Sequence, residues 1–303
     1  MGYFDIQVNG YGGVDYNQED LGAEDLHRSC QHLRADGVEG ILATIITEAP
    51  EKMIGRLQRL VALREADPLA REMIAGLHIE GPFLSPKDGY RGAHPTDAIR
   101  PADENLAARL LEAGAGLVRI FTLAPECDRD GRVTRLLKKE GVVISAGHTD
   151  ASLDELRAAI EAGLSMMTHL GNGCPMMQNR HDNIIQRALF LREHLWLSFI
   201  ADGVHIPYPV LRNYLDLAAE KALVTTDAMA AAGLGPGTHR ISRWTVLVKE
   251  DLAAWAPDGS HLLGSAMSMP RAVKNLAREL GLSEQKIQAL TCDNPRKAIG
   301  ILP

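Results

Sequence analysis

Eight apolar runs, most of them followed by a helix-like stretch, constrain this chain more than any other feature. The runs are Phe4–Val8, Ile41–Ile46, Met73–Glu80, Leu117–Leu123, Val142–Ser145, Leu164–Thr168, Leu195–Ile200 and Ala222–Asp227. They are short and rich in Val, Ile and Leu, as strands buried on both faces of a parallel sheet should be. Helical spacing intervenes, as in Leu21–Asp36, Met53–Glu65, Asn105–Ala113 and Ala151–Ala162. Such alternation predicts a parallel sheet, and eight units predict closure into a (β/α)8 TIM barrel, an α/β fold. The alternative is an open doubly wound sheet, which usually has fewer strands and a GxGxxG phosphate turn; no such turn is found here. After the eighth run, the stretch from about 233 to 260 mixes Gly, Pro and short β-like runs, and reads as a hairpin-like insertion over the barrel top. Two closing helices are expected at Met269–Leu280 and Ser283–Thr291. Residues 1–303 are therefore read as a single barrel.

Composition narrows the function classes. With 46% hydrophobic and 23% charged residues, the chain has ample material for a core. Its net charge of −7 argues against a nucleic-acid or membrane-surface partner. Cys30, Cys127, Cys174 and Cys292 are widely spaced with no CxxC, and read as reduced thiols in a cytoplasmic protein. Neither a membrane-length apolar run nor a charged leader is found.

Polar residues gather where the apolar runs end: Gln7 and Asn9, Glu80, His148, His169, Asp202 and His205, and Asp227. In an α/β barrel that end is the active-site face. Glu80, His148 and His169 form a two-histidine, one-carboxylate set, which suits one divalent ion, Zn²⁺ first, with Fe, Co or Mn as alternatives. A fourth position would remain for water, whose lowered pKa makes it a nucleophile. Gly81-Pro82 directly after the third run would aim Glu80 at the mouth. Asp227 is a candidate general base, with the N-cap of the next segment as its plain structural alternative. His94, on the long loop after the third run, could donate to a developing oxyanion or be a surface histidine. Asn172, Arg180 and His205 could hold an anionic group, although Arg180 reads equally as a solvated loop charge. Arg187 reads as a helix-surface residue, and His78 as a hydrogen-bonding partner behind Glu80.

These residues, in this order, resemble the N-acetylglucosamine-6-phosphate deacetylases of the amidohydrolase superfamily. The resemblance rests on Asp5-Ile-Gln-Val-Asn-Gly10, His78-Ile-Glu-Gly-Pro-Phe83, Gly92-Ala-His94, Gly147-His148-Thr149, Thr168-His169-Leu170 with Asn172, Asp202-Gly-Val-His205, Thr226-Asp227-Ala228 and Leu263-Gly-Ser265. It implies metal ligation by Glu80, His148 and His169, acid/base work by Asp227, and polarisation of the N-acetyl carbonyl by His94. It further implies that Asn172, the backbone of Gly173, Arg180 and His205 hold the sugar phosphate, while the loop up to Leu263 and Gly264 lines the acyl group. In such dimers the phosphate site can draw on the neighbouring subunit, so a homodimer is expected. The superfamily's His-x-His on the first strand reads Gln7-Val-Asn9 here, which implies a single metal. Two stretches depart from the family pattern: Gly171-Asn-Gly-Cys174 in place of an aromatic residue and Asn-Ala-Met, and His181-Asp-Asn183 after Arg180. The family's small flanking β-sandwich has no counterpart between Met1 and Pro303, so either a trimmed form or a barrel-only branch is expected.

The expected activity is metal-dependent hydrolysis of the N-acetyl amide of an amino sugar phosphate. The alternatives are an amidohydrolase acting on another N-acyl or cyclic amide, and a non-catalytic sugar-phosphate-binding homologue.

Overall fold

The computed structural model describes residues 2–241, 244–259 and 262–301. Eight strands pair in parallel and in chain order. They are β1 (Tyr3–Val8), β2 (Val38–Ile46), β3 (Ile74–Glu80), β4 (Val118–Leu123), β5 (Val143–Ala146), β6 (Leu164–Met167), β7 (Trp196–Ile200) and β8 (Ala222–Thr225). The helices between them are α1 (Ala23–Ala35), α2 (Pro50–Ala66), α3 (Pro68–Met73), α4 (Glu104–Ala113), α5 (Arg132–Lys139), α6 (Leu153–Ala162), α7 (Ile184–Phe190) and α8 (Tyr208–Ala218). This is the (β/α)8 barrel that the alternation predicts.

Local chemistry sets the helix starts. Ser152 and Glu155 form a reciprocal capping box at α6: Glu155 N–H donates to Ser152 Oγ at 3.2 Å, and Ser152 N–H to Glu155 Oε2 at 2.7 Å. Asp103 caps α4 by accepting from Leu106 N–H at 2.7 Å. The short helix α3 was not legible in the periodicity. Pro68 at its first position and the Asp67 side chain, accepting from Leu69 N–H, start it.

The core of the barrel has two layers. A large cluster joins the strands to the outer helices. A smaller one gathers Phe4, Ile6, Leu42, Ile120, Met166 and Leu223 with Ala298 and Ile299 from the chain's end. The C-terminal segment thus packs on apolar side chains contributed by five barrel strands, away from the strand ends that carry the polar residues.

The seam between β1 and β8 carries no regular ladder. It is drawn together near the mouth by a parallel bridge from Val8 to Ala228 and by Asn9 N–H donating to Ala228 O at 2.8 Å. Deeper down, the buried Asp5 carboxylate reaches across it. Thr225 Oγ1 donates to Asp5 Oδ1 at 2.5 Å, and the Thr226 hydroxyl and N–H also donate to the carboxylate. Burial pushes the Asp5 carboxyl up, against these hydrogen bonds.

Where the sequence suggested a hairpin-like insertion at about 233 to 260, the chain forms a four-stranded antiparallel sheet: β9 (Gly237–Ile241), β10 (Trp244–Val248), β11 (Ala253–Trp255) and β12 (Leu262–Ser265). Ser242, Arg243 and Ser260 of that stretch lie outside the described residues. The last of these strands bridges in parallel to Ala228 through Ser265, so the sheet is anchored at the barrel mouth. Helix α9 (Met269–Arg278) and the short helices α10 (Glu284–Gln288) and α11 (Asn294–Ala298), with a π-turn between the last two, complete the chain. No helix among the described residues is long and apolar enough to cross a membrane.

Asp5→Ala removes the carboxylate acceptor of two threonine hydroxyls and of the Gln7 and Thr226 N–H groups, at about 1–3 kcal/mol for each group left unsatisfied before relaxation. We expect a loss of about 3 kcal/mol in urea unfolding, and a loss below about 1 kcal/mol would show that the seam is held elsewhere.

Candidate active site and metal centre

Three of the chemistry-bearing residues share a backbone property that periodicity does not reveal. His148, His169 and Asp227 each follow a strand end by two residues, and each has a positive φ, at 51°, 32° and 49°. Non-glycine residues enter this left-handed region at a cost of about 1–2 kcal/mol each. The sharp turn leaves each side chain at the carboxyl end of its strand, and such strain concentrates at functional sites.

Glu80 ends β3, and its Oε1 lies 3.0 Å from His169 Nε2 and 3.4 Å from His148 Nε2. One ligand atom from each of the three residues lies within 4.8 Å of the others, and all three residues are buried. The His148 Nδ1–H donates to Tyr90 O at 2.8 Å, which leaves Nε2 as a bare lone pair facing Glu80. Converging lone pairs from a carboxylate and two imidazoles need a shared cation or trapped protons between them. The donor set therefore fits a divalent metal of the Zn²⁺ kind. Without the ion, the charges show the strain. Burial alone would raise the Glu80 carboxyl, but the two imidazoles hold it well below the usual range. Burial would lower His169, yet Glu80 and Asp227 hold it above its ordinary value. A metal ion would take the place of such a proton.

His94 joins this cluster. Its ring is buried and meets the His148 ring edge-on at 4.4 Å between centroids, and His148 meets His169 at 4.9 Å. Burial and the neighbouring His148 pull His94 down to about 3, so it is a neutral imidazole at physiological pH. Its Nδ1 is buried with no protein partner. Asp227 is half-buried, and Asn9 Nδ2 donates to its Oδ1 at 2.8 Å. Burial pushes the Asp227 carboxyl up to about 6, against the pull of His169. Gln7, beside Asn9, is buried with Nε2 unpartnered. Beneath the site, His78 Nδ1 donates to Ile6 O at 3.0 Å, so Nε2 accepts from Thr122 Oγ1 at 2.7 Å. Burial pulls His78 down to about 4, so it too is neutral.

The remaining sequence-predicted residues divide in two. Asn172 is half-buried and folded back on His169, its N–H and Nδ2 both donating to His169 O. Gly173 lies against the His148 ring. Leu263 and Gly264 sit on β12, where Gly264 faces Met229 and the adjacent Ser265 accepts from Met229 N–H at 2.8 Å, two residues from Asp227. His205 pairs with Asp202 at the end of β7. Arg180, by contrast, is exposed, and among the described residues it makes no hydrogen bond or ion pair.

Arg187 differs from its sequence reading. Its side chain is 15% exposed and turned inward, donating to Ala151 O at 3.0 Å and Asp182 Oδ1 at 2.6 Å, with Asp150 at 3.6 Å. Asp150 also takes Lys87 Nζ at 2.6 Å. The acid two residues after His148 thus ties down both the loop that delivers His94 and the loop that delivers Asn172. Only its place beside a strand-end histidine could have flagged it in the sequence.

His148 is wedged between two glycines of those loops. A Cβ built at Gly92 would fall 2.8 Å from the ring, and one at Gly173 also 2.8 Å, at φ of 56° and 61°. Gly173→Ala should displace His148 and reduce the metal retained after dialysis, as read by metal analysis. Full retention with normal affinity would show that the ring has room to move.

No family model matches the chain. It is 33% identical, over 99% of its length and 75% of the relative, to N-acetylglucosamine-6-phosphate deacetylase of Bacillus subtilis. It is also 33% identical to N-acetylgalactosamine-6-phosphate deacetylase of Shewanella, over 98% of this chain and 73% of the relative. Among solved structures, it superposes with TM-score 0.87 and 30% identity on a mutant N-acetyl-D-glucosamine-6-phosphate deacetylase from Mycobacterium smegmatis in complex with N-acetyl-D-glucosamine-6-phosphate, covering 99% of this chain and 77% of that one. A TM-score of 0.86 at 29% identity relates it to the Pasteurella multocida enzyme of the same name, over 99% of this chain and 76% of that one. With a strand-end Glu-His-His set on the page and these relatives spanning nearly its whole length, the chain belongs to the N-acetylglucosamine-6-phosphate deacetylase family.

Proposed function

We propose that this protein hydrolyses the acetamide of a 6-phosphorylated N-acetyl amino sugar, releasing acetate and the free amine, with N-acetylglucosamine 6-phosphate as the first candidate. The observation that carries the reading is the Glu80, His148 and His169 cluster with Asp227 and His94 beside it. These residues would hold one divalent ion, Zn²⁺ first, with Fe, Co or Mn to be tested against it. When bound, such an ion supplies Lewis acidity to the amide carbonyl and an acidified water.

The chain's own groups supply the rest. Asp227 accepts the proton of the attacking water as the new C–O bond forms. It returns that proton to the departing nitrogen as the C–N bond breaks, so the leaving group is a neutral amine. Asn9 occupies Asp227 Oδ1 as a donor, which leaves Oδ2 for proton transfer. His94, held neutral by burial, donates a hydrogen bond to the carbonyl oxygen as negative charge gathers there. Asn172, Gly173, Arg180 and His205 bind the sugar and its phosphate, and Leu263 and Gly264 line the acetyl group. The exposure of Arg180 supports a homodimer in which it serves the neighbouring site. Met176 and Met177, fully and 90% exposed on the same loop, are apolar surface that such a partner would cover. The four free cysteines support a cytoplasmic location.

Acetate release from a panel of N-acetyl amino sugars, as gluco and galacto epimers with and without 6-phosphate, tests the reading; no release from any phosphorylated member overturns it. Chelation should abolish turnover and Zn²⁺ should restore it. Asp227→Asn should lose about 10³-fold in kcat with metal still bound, and near-normal turnover would remove Asp227 from its role. The base must be ionised, so kcat/KM should rise with pH through the Asp227 pKa. A bound cation lowers that value, so the acid limb should have its midpoint at or below about 6. A midpoint well above that points to a different base.

A further inference from the structure

The segment after β7 carries a buried couple for which the hydrolytic step above has no use. Asp202 divides its two carboxylate oxygens between separate tasks. Oδ1 accepts the backbone N–H groups of Val204 at 2.9 Å and His205 at 2.8 Å, closing the turn. Oδ2 lies 2.5 Å from His205 Nδ1. The side chains of His205 and Asp202 are 8% and 0% exposed. The backbone on both sides is pinned: Tyr208 OH donates to Asp202 O at 3.1 Å, and Asn275 Nδ2 to Ala201 O at 2.9 Å.

The chemistry of this pair has one sense. Burial alone would raise the Asp202 carboxyl, but His205 and the two N–H groups hold it below its usual value, so it is ionised. An ionised carboxylate only accepts, so Nδ1 of His205 must carry a proton. The ring is thereby fixed in orientation, and Nε2 is the nitrogen left for another partner. A Cβ built at Gly171 would fall 3.5 Å from the side chain of Ile206, the residue after His205, so this segment packs on the loop that carries Asn172.

We propose that Asp202 is a positioning residue for substrate: it fixes the orientation and the Nδ1–H form of His205, so that the lone pair of Nε2 accepts a hydrogen bond from a hydroxyl of the sugar. The proposal rests on the hydrolytic reading above for the identity of the substrate, and on the geometry for the rest. Asp202 acts through His205 and touches no reacting atom, so it should govern binding more than turnover.

Asp202→Asn separates the two tasks of the carboxylate. The amide oxygen can still accept from Val204 and His205, so the turn is kept. The amide NH2 replaces Oδ2 and donates, so Nδ1 must accept and its proton moves to Nε2. The first measurement is long-range ¹H–¹⁵N NMR of the histidine rings, with His205 assigned by its loss in His205→Gln. The wild type should show Nδ1 protonated, and D202N should show the reversed tautomer. The second is steady-state kinetics on the phosphorylated substrate. D202N should raise KM about tenfold, the cost of one misdirected hydrogen bond, with kcat kept within about threefold. Adding D202N to H205Q should change KM no further. The loss should be the same on the unphosphorylated sugar, because a phosphate oxygen cannot donate to the Nε2 lone pair, and a loss confined to the phosphorylated substrate overturns the assignment.

An unprotonated Nδ1 in the wild type overturns the proposal without any variant. So does a D202N effect that multiplies with that of H205Q, or an unchanged KM after the tautomer has reversed. If the wild type releases no acetate from any phosphorylated N-acetyl amino sugar, it is the hydrolytic reading that fails, and the NMR result still decides the state of the Asp202–His205 pair.

Discussion

A buried carboxylate at the β1–β8 seam sets the frame for the rest of the molecule. Asp5 gathers the hydroxyls of Thr225 and Thr226 and a Thr226 N–H where a regular ladder is missing. A barrel must join its first strand to its last, and register there decides what reaches the mouth. Here the join brings Asn9, at the end of β1, within 2.8 Å of Asp227, just past the end of β8. It also places Ala228 where Val8 on one side and Ser265 of the added sheet on the other can bridge to it. The candidate base, its amide partner and the β12 residues beside it therefore share one structural cause.

Across the mouth, the site is held by charged groups that converge on one carboxylate. Glu80 stands between two imidazole nitrogens, all three residues buried, and the shifts of Glu80 and His169 run opposite to those of isolated buried groups. His94 and His78 move the other way, driven down by burial into the neutral state. One small volume thus keeps two histidines neutral and two directed at a carboxylate. This is the separation of protonation states that acid/base chemistry at neutral pH requires.

Rigidity comes from the surrounding loops. His148 is clasped by Gly92 and Gly173, donates from its far nitrogen to Tyr90 O, and accepts Ser85 N–H on its own carbonyl at 3.0 Å. Asp150, two residues on, takes Lys87 from one loop and lies near Arg187, which pairs with Asp182 of the other. His148, His94 and the loop carrying Asn172 are positioned together, so a change in one loop should be felt in the other.

Much of this was legible in the amino-acid sequence. The eight strands could be read because a strand buried on both faces is an uninterrupted apolar run. Glu80, His148, His169 and Asp227 stood out because a polar residue ending such a run is costly unless it has work to do. Gly173 entered only through family resemblance, and His94 and Asn172 stood as open alternatives before it, since loop position alone carries little information. What escaped depended on distance. The sheet from β9 to β12 looked like a hairpin because its strands are short and broken by Gly and Pro. Arg187 looked like surface because helical spacing does not say which neighbour a long side chain meets. The left-handed backbone at His148, His169 and Asp227 left no trace, because the residue types do not favour it. The sequence by itself determined the barrel and the inventory of chemical groups at its mouth, since hydrophobic periodicity is a local property of the chain. Only the tertiary structure decided which nitrogen faces which oxygen, which groups stay neutral, and that Asp202 holds His205, because these depend on burial and on contacts between segments far apart in the chain.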